Sequence, residues 1–355
     1  MKSIIISDIH LSGYKKDRIH PETLLPERLH YIQMNLELVI NKYHEYKADN
    51  IIILGDVFDD KDLMYSKSAN IFQDFLIQAQ DIPIIIIQGN HDSKDYDNPE
   101  ESLLNIFSNY KNVDIIYNHA KYDNIIFTAY KPTNTFIELM SDVIESYQPG
   151  YEEDMILFGH FDLNGAQLSN GIYLNAPIKL KDLSNYFSFI ISGHIHKPQE
   201  FDYLYKNEKP AKFIYVGSPI QTNWGERGEE KRILYFDSET LNYEEIPTYY
   251  KKYKVFKIEK EEDLSLLEEI KNEEVNDDTQ IRVISALDIK DEDKKILKDK
   301  NITLFIDKQL ERERNISINL SDSEQDKLKK YLEYKNILEE KWDEYLQVLG
   351  KYEII

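Results

Sequence analysis

The chain has no cysteine. Disulfide cross-links, thiolate zinc sites and cysteine nucleophiles are thereby excluded. Long apolar runs are missing too: the longest are about four residues, far short of the roughly 18 that a membrane-spanning helix needs. Positive charge is scarce, with 43 Lys and Arg against 65 Asp and Glu and a net charge of −22. That balance argues against a protein that grips nucleic acid through a general basic surface. It leaves room for one that handles DNA through local metal ions or a basic partner. No internal repeat or low-complexity tract stands out. The opening Met1-Lys2-Ser3, followed at once by Ile4-Ile5-Ile6, reads as a strand rather than a secretory leader, so a soluble cytoplasmic protein with no membrane contact is expected.

What the chain does have is 355 residues, 41% of them hydrophobic, enough for one large domain and something smaller. The stretch Ile51-Ile52-Ile53-Leu54-Gly55-Asp56-Val57-Phe58-Asp59-Asp60 organises the rest. Its four apolar residues, three of them β-branched, suit a short strand buried on both faces. The strand breaks off in Gly55-Asp56, which delivers a carboxylate to the carboxyl edge of a parallel sheet, where open α/β folds place their ligands.

The same construction recurs. Lys2–Ser7 is a strand ending in Asp8-Ile9-His10, and Pro83–Ile87 a strand ending in Gln88-Gly89-Asn90-His91-Asp92. Helices are predicted near Glu27–Tyr46, where Leu29, Ile32, Leu36, Ile40 and Tyr43 form one stripe, and near Ser66–Gln80. Strand, helix, strand, helix, strand is a βαβ pattern. Further strands are expected at Val113–Tyr117, Asn124–Ala129, Met155–Phe158, Phe187–Ile191, Lys212–Val216, Arg232–Asp237 and Asn242–Ile246, with a helix near Thr135–Tyr147. Two of these strands open into Gly159-His160 and Gly193-His194-Ile195-His196. The reading gives a main domain over residues 1–250 and a small α/β appendage over 251–318. Residues 319–355 form a third part, with one long helix from Ser321 to Leu349.

Five strand ends thus supply Asp8, His10, Asp56, Asn90, His91, His160, His194 and His196. Carboxylate, imidazole and amide oxygen without sulfur suit Mn²⁺, Fe²⁺ or Zn²⁺. Eight groups are too many for one ion, whereas two ions about 3.5–4 Å apart can share a carboxylate, and Asp56 on the central strand is the natural bridge. Two divalent ions with the carboxylates of Asp8 and Asp56 leave a charge of about +2, which favours a phosphate oxygen and lowers the pKa of water toward neutrality. Phosphoester hydrolysis is the reaction this arrangement suits.

These residues resemble the calcineurin-like metallophosphoesterase superfamily. Its pattern D-x-H, G-D-x-x-D, G-N-H-D/E, G-H and G-H-x-H stands here, in order, as Asp8-Ile9-His10, Gly55-Asp56-Val57-Phe58-Asp59, Gly89-Asn90-His91-Asp92, Gly159-His160 and Gly193-His194-Ile195-His196. The resemblance implies a four-layer α-β-β-α sandwich with a small α/β capping domain and a C-terminal helical tail. It implies one metal on Asp8, His10, Asp56 and His196, and another on Asp56, Asn90, His160 and His194. Manganese is expected first, with Mg²⁺, Fe²⁺ or Zn²⁺ as the other choices. It also makes His91 the catalytic proton donor to the leaving oxygen, with Asp59 beside it. Some relatives carry His where Asp59 stands, a position tied to the balance of exonuclease and endonuclease behaviour.

The run Tyr215-Val216-Gly217-Ser218-Pro219-Ile220-Gln221-Thr222-Asn223-Trp224-Gly225-Glu226 further resembles the Gly-Ser-Pro loop of SbcD-type double-strand-break repair nucleases, especially their phage recombination branch. That resemblance implies a manganese-dependent DNA exo/endonuclease and a homodimer. It also implies a tail that binds the coiled-coil base of an SbcC-like ATPase. The same residues could instead serve a small-nucleotide phosphodiesterase or an inactive scaffold on a phosphoesterase fold. Gly217-Ser218-Pro219 could equally be an ordinary strand-ending turn, and Trp224 a core residue.

Overall fold

Runs of isoleucine lay down the first sheet. The computed structural model describes residues 1–147, 154–206, 208–272 and 278–306. In chain order, β1 (Lys2–Ile6) leads to α1 (Glu27–Tyr46), β2 (Asn50–Leu54), α2 (Ser66–Gln78), β3 (Ile84–Ile87) and β4 (Val113–Ile116). Next come β5 (His119–Tyr122), β6 (Ile125–Thr128), α3 (Thr133–Tyr147), β7 (Met155–His160), the single turn α4 (Leu180–Leu183) and β8 (Phe187–Gly193). The strands β9 (Gln199–Tyr205), β10 (Lys209–Tyr215), β11 (Arg232–Asp237) and β12 (Asn242–Pro247) follow. Beyond them lie β13 (Lys252–Ile258), α5 (Leu266–Asn272), β14 (Thr279–Ser285), α6 (Asp291–Asp299) and β15 (Thr303–Ile306).

The first sheet runs β12-β11-β1-β2-β3-β4 and the second β5-β6-β7-β8-β10-β9. From β1 to β4 the strands are parallel, with Ile4 beside Ile51, Ile51 beside Ile84, and Ile84 beside Val113. β6, β7, β8 and β10 are likewise parallel. Successive side chains of a strand point to opposite faces, so each isoleucine run serves two cores. Ile4, Ile6, Ile51, Ile53, Ile84 and Ile86 pack with Leu29, Ile32, Leu36 and Val39 of α1 and with Phe72, Phe75 and Leu76 of α2. Ile5, Ile52, Leu54 and Ile87 face the other way, against Phe127, Ile156, Phe158, Phe189, Ile191 and Ile214 of the second sheet. The far side of that sheet, with Leu157 and Ile190, is covered by Phe136, Leu139, Met140 and Val143 of α3. Helix, sheet, sheet, helix is the four-layer α-β-β-α order.

Helix α1 spans the predicted residues and stops at Lys47, which turns the chain at φ 49° and donates its N–H back to the last turn. Ile40 and Tyr43 of the predicted stripe are only partly buried, and Val39 takes the buried place. Two strands, β5 and β9, are absent from the sequence reading. Both are edge strands of the second sheet, with mostly half-exposed side chains and no continuous apolar run.

The chain divides into two compact units, the first ending at Tyr253 and the second beginning at Lys254. In the second, β13, β14 and β15 form a sheet in that order, with β14 and β15 parallel. Ile258, Leu267, Ile270, Ile281, Val283, Ile289, Leu297 and Ile302 make its own core. The helix expected from Ser321 to Leu349 lies outside the described residues, as does the end of the appendage past Ile306. Among the described residues no helix is long and apolar enough to cross a membrane.

Candidate metal centre

The predicted ligands come together where the carboxyl ends of both sheets meet. Asp8 and His10 follow β1, Asp56 follows β2, Asn90 and His91 follow β3, His160 ends β7, and His194 and His196 follow β8. The backbone turns sharply to deliver them: φ is 51° at Asp8, 51° at His10, 52° at Asp56 and 89° at His194. Such left-handed conformations cost about 1–3 kcal/mol in a non-glycine residue and cluster where function over-determines the backbone. The sheet edges also approach too closely for side chains. A Cβ on Gly193 would fall 2.1 Å from Ser7 Oγ and 2.2 Å from the Leu54 carbonyl oxygen.

Among the described residues two groups of donors hold motif ligands alone, Asp8, His10 and His196 in one and Asp56, His160 and His194 in the other, and a third joins His10 to Asp59 and His91; in each the ligand atoms lie within 4.8 Å of one another. His10 Nε2 faces His196 Nε2 at 2.9 Å. Asn90 Oδ1 lies 3.0 Å from His160 Nε2 and 2.8 Å from His194 Nδ1. Asp56 Oδ2 stands 3.5 Å from both His10 Nε2 and His160 Nε2, and so touches both groups. These separations match a shared ion. Donors held about 2.0–2.2 Å from one metal lie about 3–3.5 Å from each other, and two imidazole nitrogens have reason to face one another when both lone pairs aim at a cation. The donor set therefore fits two divalent ions.

The outer nitrogen of each of these imidazoles meets an oxygen. His160 Nδ1 lies 2.7 Å from the Leu54 carbonyl, His194 Nε2 lies 2.9 Å from Asp162 Oδ1, and His196 Nδ1 lies 3.1 Å from Glu226 Oε1. His10 Nδ1 stands 3.2 Å from Asp59 Oδ1, off the line of a hydrogen bond but close enough for attraction. An N–H aimed outward fixes the tautomer and ring orientation and turns the inner nitrogen's lone pair toward the metal position.

Charge in the cluster is tightly coupled. Burial favours the neutral form of Asp56, yet the imidazoles of His160 and His10 prevail and lower its carboxyl below the usual range. Burial likewise opposes the His160 imidazolium, but Asp56 pushes its pKa up to about 9. Both shifts describe groups that cations would hold apart from protons. Asp92, the last residue of the Gly-Asn-His-Asp motif, accepts hydrogen bonds from the N–H groups of Asp56 (2.9 Å), Phe58 (3.1 Å) and Gly89 (2.8 Å). It ties the loop after β2 to the loop after β3. Desolvation, followed by the nearby Asp56 charge, raises its carboxyl to about 6.

His91 shares a donor group with His10 and Asp59, its ring 5.0 Å from that of His10, centroid to centroid. Its N–H donates to Asp56 Oδ1 at 2.8 Å, and its Nδ1 lies 2.6 Å from the Asp59 carbonyl oxygen. With Nδ1–H engaged there, gain and loss of a proton fall on Nε2. The Asp59 side chain approaches His10, and the nearness of that ring lowers its own carboxyl pKa. Asp59 is thus placed to position His10 and His91.

Three contributors went unrecognised in the sequence: Asp162, Glu226 and Lys231. Glu226 is 1% exposed and lies 35 residues or more beyond every motif strand end except that of β8. Lys231 is buried between Glu226 (2.9 Å) and Glu229 (2.8 Å), and donates to Ser218 Oγ and to the His196 carbonyl. Ser218 N donates to that same carbonyl, so the Gly-Ser-Pro loop braces the strand end that carries His196. Trp224 instead packs against Tyr253, with ring centroids 4.6 Å apart. Only the adjacency of Asp162 to His160 and of Glu226 to the Gly-Ser-Pro loop hinted at these roles.

Comparison with known structures finds partial likeness. YfcE, a phosphoesterase from E. coli, is 15% identical, with a TM-score of 0.33 over 70% of this chain and 100% of that one. A dimetal phosphatase from Danio rerio is 11% identical, with a TM-score of 0.38 over 66% and 91%. The nuclease MPE of Pseudomonas putida is 10% identical, with a TM-score of 0.31 over 65% and 83%. Residues 1–198, the span that carries β1 through β8 and every motif ligand, match the family described as calcineurin-like phosphoesterase. The chain belongs to that family.

Proposed function

We propose that this metallophosphoesterase is a DNA nuclease that hydrolyses phosphodiester bonds in recombination and double-strand-break repair. The observation that carries the hydrolytic reading is Asp56 Oδ2 set 3.5 Å from a histidine of each donor group. Two divalent cations, with manganese first among the candidates, would supply Lewis acidity and an activated water at neutral pH. Asp8, His10, Asp56 and His196 would hold one ion, and Asp56, Asn90, His160 and His194 the other.

The chain's own residues then do the rest. The cluster fixes the phosphate, and Asp162, Glu226 and the Leu54 carbonyl keep the imidazoles turned inward. His91, with Nδ1 held by the Asp59 carbonyl, presents Nε2 to donate a proton to the departing sugar oxygen. The choice of DNA is supported by the resemblance of the Gly217-Ser218-Pro219 loop to that of SbcD-type nucleases; the loop itself braces the His196 strand end. On the same resemblance, a homodimer and an SbcC-like ATPase bound through residues 319–355 belong to the proposal. Co-purification with such an ATPase, with and without those residues, tests that part.

The catalytic reading is tested with purified protein, Mn²⁺, and single- and double-stranded DNA. His91→Ala is expected to lower kcat about 10²–10⁴-fold, with metal content unchanged. Undiminished cleavage by that variant would remove His91 from the mechanism, and turnover of cyclic nucleotides in preference to DNA would assign the site to a small-nucleotide phosphodiesterase.

A further inference from the structure

A second cluster borders the metal centre on the His194 side. Tyr130 stands two residues past the end of β6, at the same carboxyl edge as β7 and β8, with its N–H bonded to the Gln88 carbonyl at 2.9 Å. Its ring lies 5.5 Å from that of His194 and 6.1 Å from that of His160, centroid to centroid. Tyr96, in the loop after β3, meets Tyr130 edge to face at 5.0 Å. The Tyr96 hydroxyl reaches the carbonyl oxygen of Asn90 at 3.4 Å and accepts a hydrogen bond from Lys61 Nζ at 2.7 Å. Both rings are half-buried and keep surface open to solvent, and Lys61 is exposed.

The charges nearby are divided unequally. Lys94 pairs with Asp62 at 2.6 Å, and Lys131 with Asp97 at 2.6 Å. Lys61 donates to the Tyr96 hydroxyl and lies 5.3 Å over the same ring, and among the described residues it forms no ion pair with a carboxylate. In a chain of net charge −22, phosphate contacts alone give a poor grip on a polyanion. Stacking on aromatic rings is indifferent to that charge, because every base has a π-face. Two open rings and one ammonium group beside a phosphoester-cleaving centre are the parts a nucleotide-sized subsite requires.

We propose that Tyr130 and Tyr96, with Lys61, form a subsite for the nucleotide flanking the scissile phosphodiester, the rings stacking on its base and Lys61 pairing with the next phosphate. The proposal rests on the nuclease reading above and gives that reading a preference for base-bearing strands over other phosphodiesters. Tyr130 acts here as a substrate-positioning residue.

The test compares a single-stranded oligodeoxynucleotide with an equal-length strand of abasic tetrahydrofuran residues, using the full-length protein and Mn²⁺. For the unmodified protein, KM is expected to be about tenfold lower on the base-bearing strand. Tyr130→Ala is expected to collapse that ratio toward one, while Tyr130→Phe, which keeps the ring, preserves it. Equal KM on the two strands for the unmodified protein overturns the proposal without any variant. So does a ratio that survives Tyr130→Ala, or a Tyr130→Ala defect confined to kcat and shared by both strands, which would make the ring a prop for His194. Cleavage of neither strand is a different result: it sinks the nuclease reading, and the subsite with it.

Discussion

Glu226 shows how a residue remote in sequence governs the centre. Burial alone would raise its carboxyl, but the hydrogen bond to His196 and the Lys231 ammonium outweigh that and hold it at about 2, against an ordinary 4.5. A carboxyl depressed in the folded state stabilises the fold above its unfolded pKa and loses that contribution as the pH falls through the folded one. The window here runs from about 4.5 down to about 2, and 2.5 pH units correspond to about 3 kcal/mol. In metal-free protein, the melting temperature should therefore drop more steeply between pH 5 and pH 3 than in Glu226→Gln. Parallel curves for the two proteins would show the carboxylate to be idle. Because Glu226 also orients His196, the same variant is expected to bind Mn²⁺ about 10–100-fold more weakly at neutral pH, as read by calorimetric titration.

At the scale of elements, the strands work as rigid arms for their end loops. Phe158 on β7 is fully buried between the sheets, stacked on Phe127 at 5.1 Å and edge-on to Phe236 at 5.9 Å. His160, two residues on, points one ring nitrogen at the Leu54 carbonyl of the opposite sheet. Phe158→Ala leaves a cavity in that layer and is expected to cost about 3–5 kcal/mol in denaturant unfolding. Metal affinity should fall as well, since the arm that carries His160 loses its packing. A loss below about 1 kcal/mol would mean that the layer repacks freely. The two edge strands that escaped the sequence reading, β5 and β9, teach the complementary lesson. Their positions at the sheet border relieve them of the apolar run by which a strand is recognised.

For the whole molecule, the division after Tyr253 gives each unit a core of its own, while every motif ligand belongs to the first. Differential scanning calorimetry is expected to resolve two transitions. Mn²⁺ should raise only the one that belongs to the first unit, by an amount equivalent to about 2.7 kcal/mol when free metal reaches a hundred times its Kd. Chelation should reverse the shift and Asp56→Asn should greatly weaken it. A single transition moved as a block would show the two units to be thermodynamically coupled.

The sequence by itself determined most of the strands, the parallel βαβ pattern of the first three, and which residues are candidate ligands. Asp8, His10, Asp56, Asn90, His160, His194 and His196 each follow a short apolar run that has few ways to fold other than as a buried strand. Spacing along a chain also carries the chemistry of a donor set. What only the tertiary structure decided is which oxygen stands behind each imidazole, and that the aromatic pair Tyr96 and Tyr130 borders the same edge. Such contacts join residues from 30 to 106 positions apart through loops with no periodicity. Their partners are selected by the approach of two sheet edges in space, and local sequence holds no record of that approach.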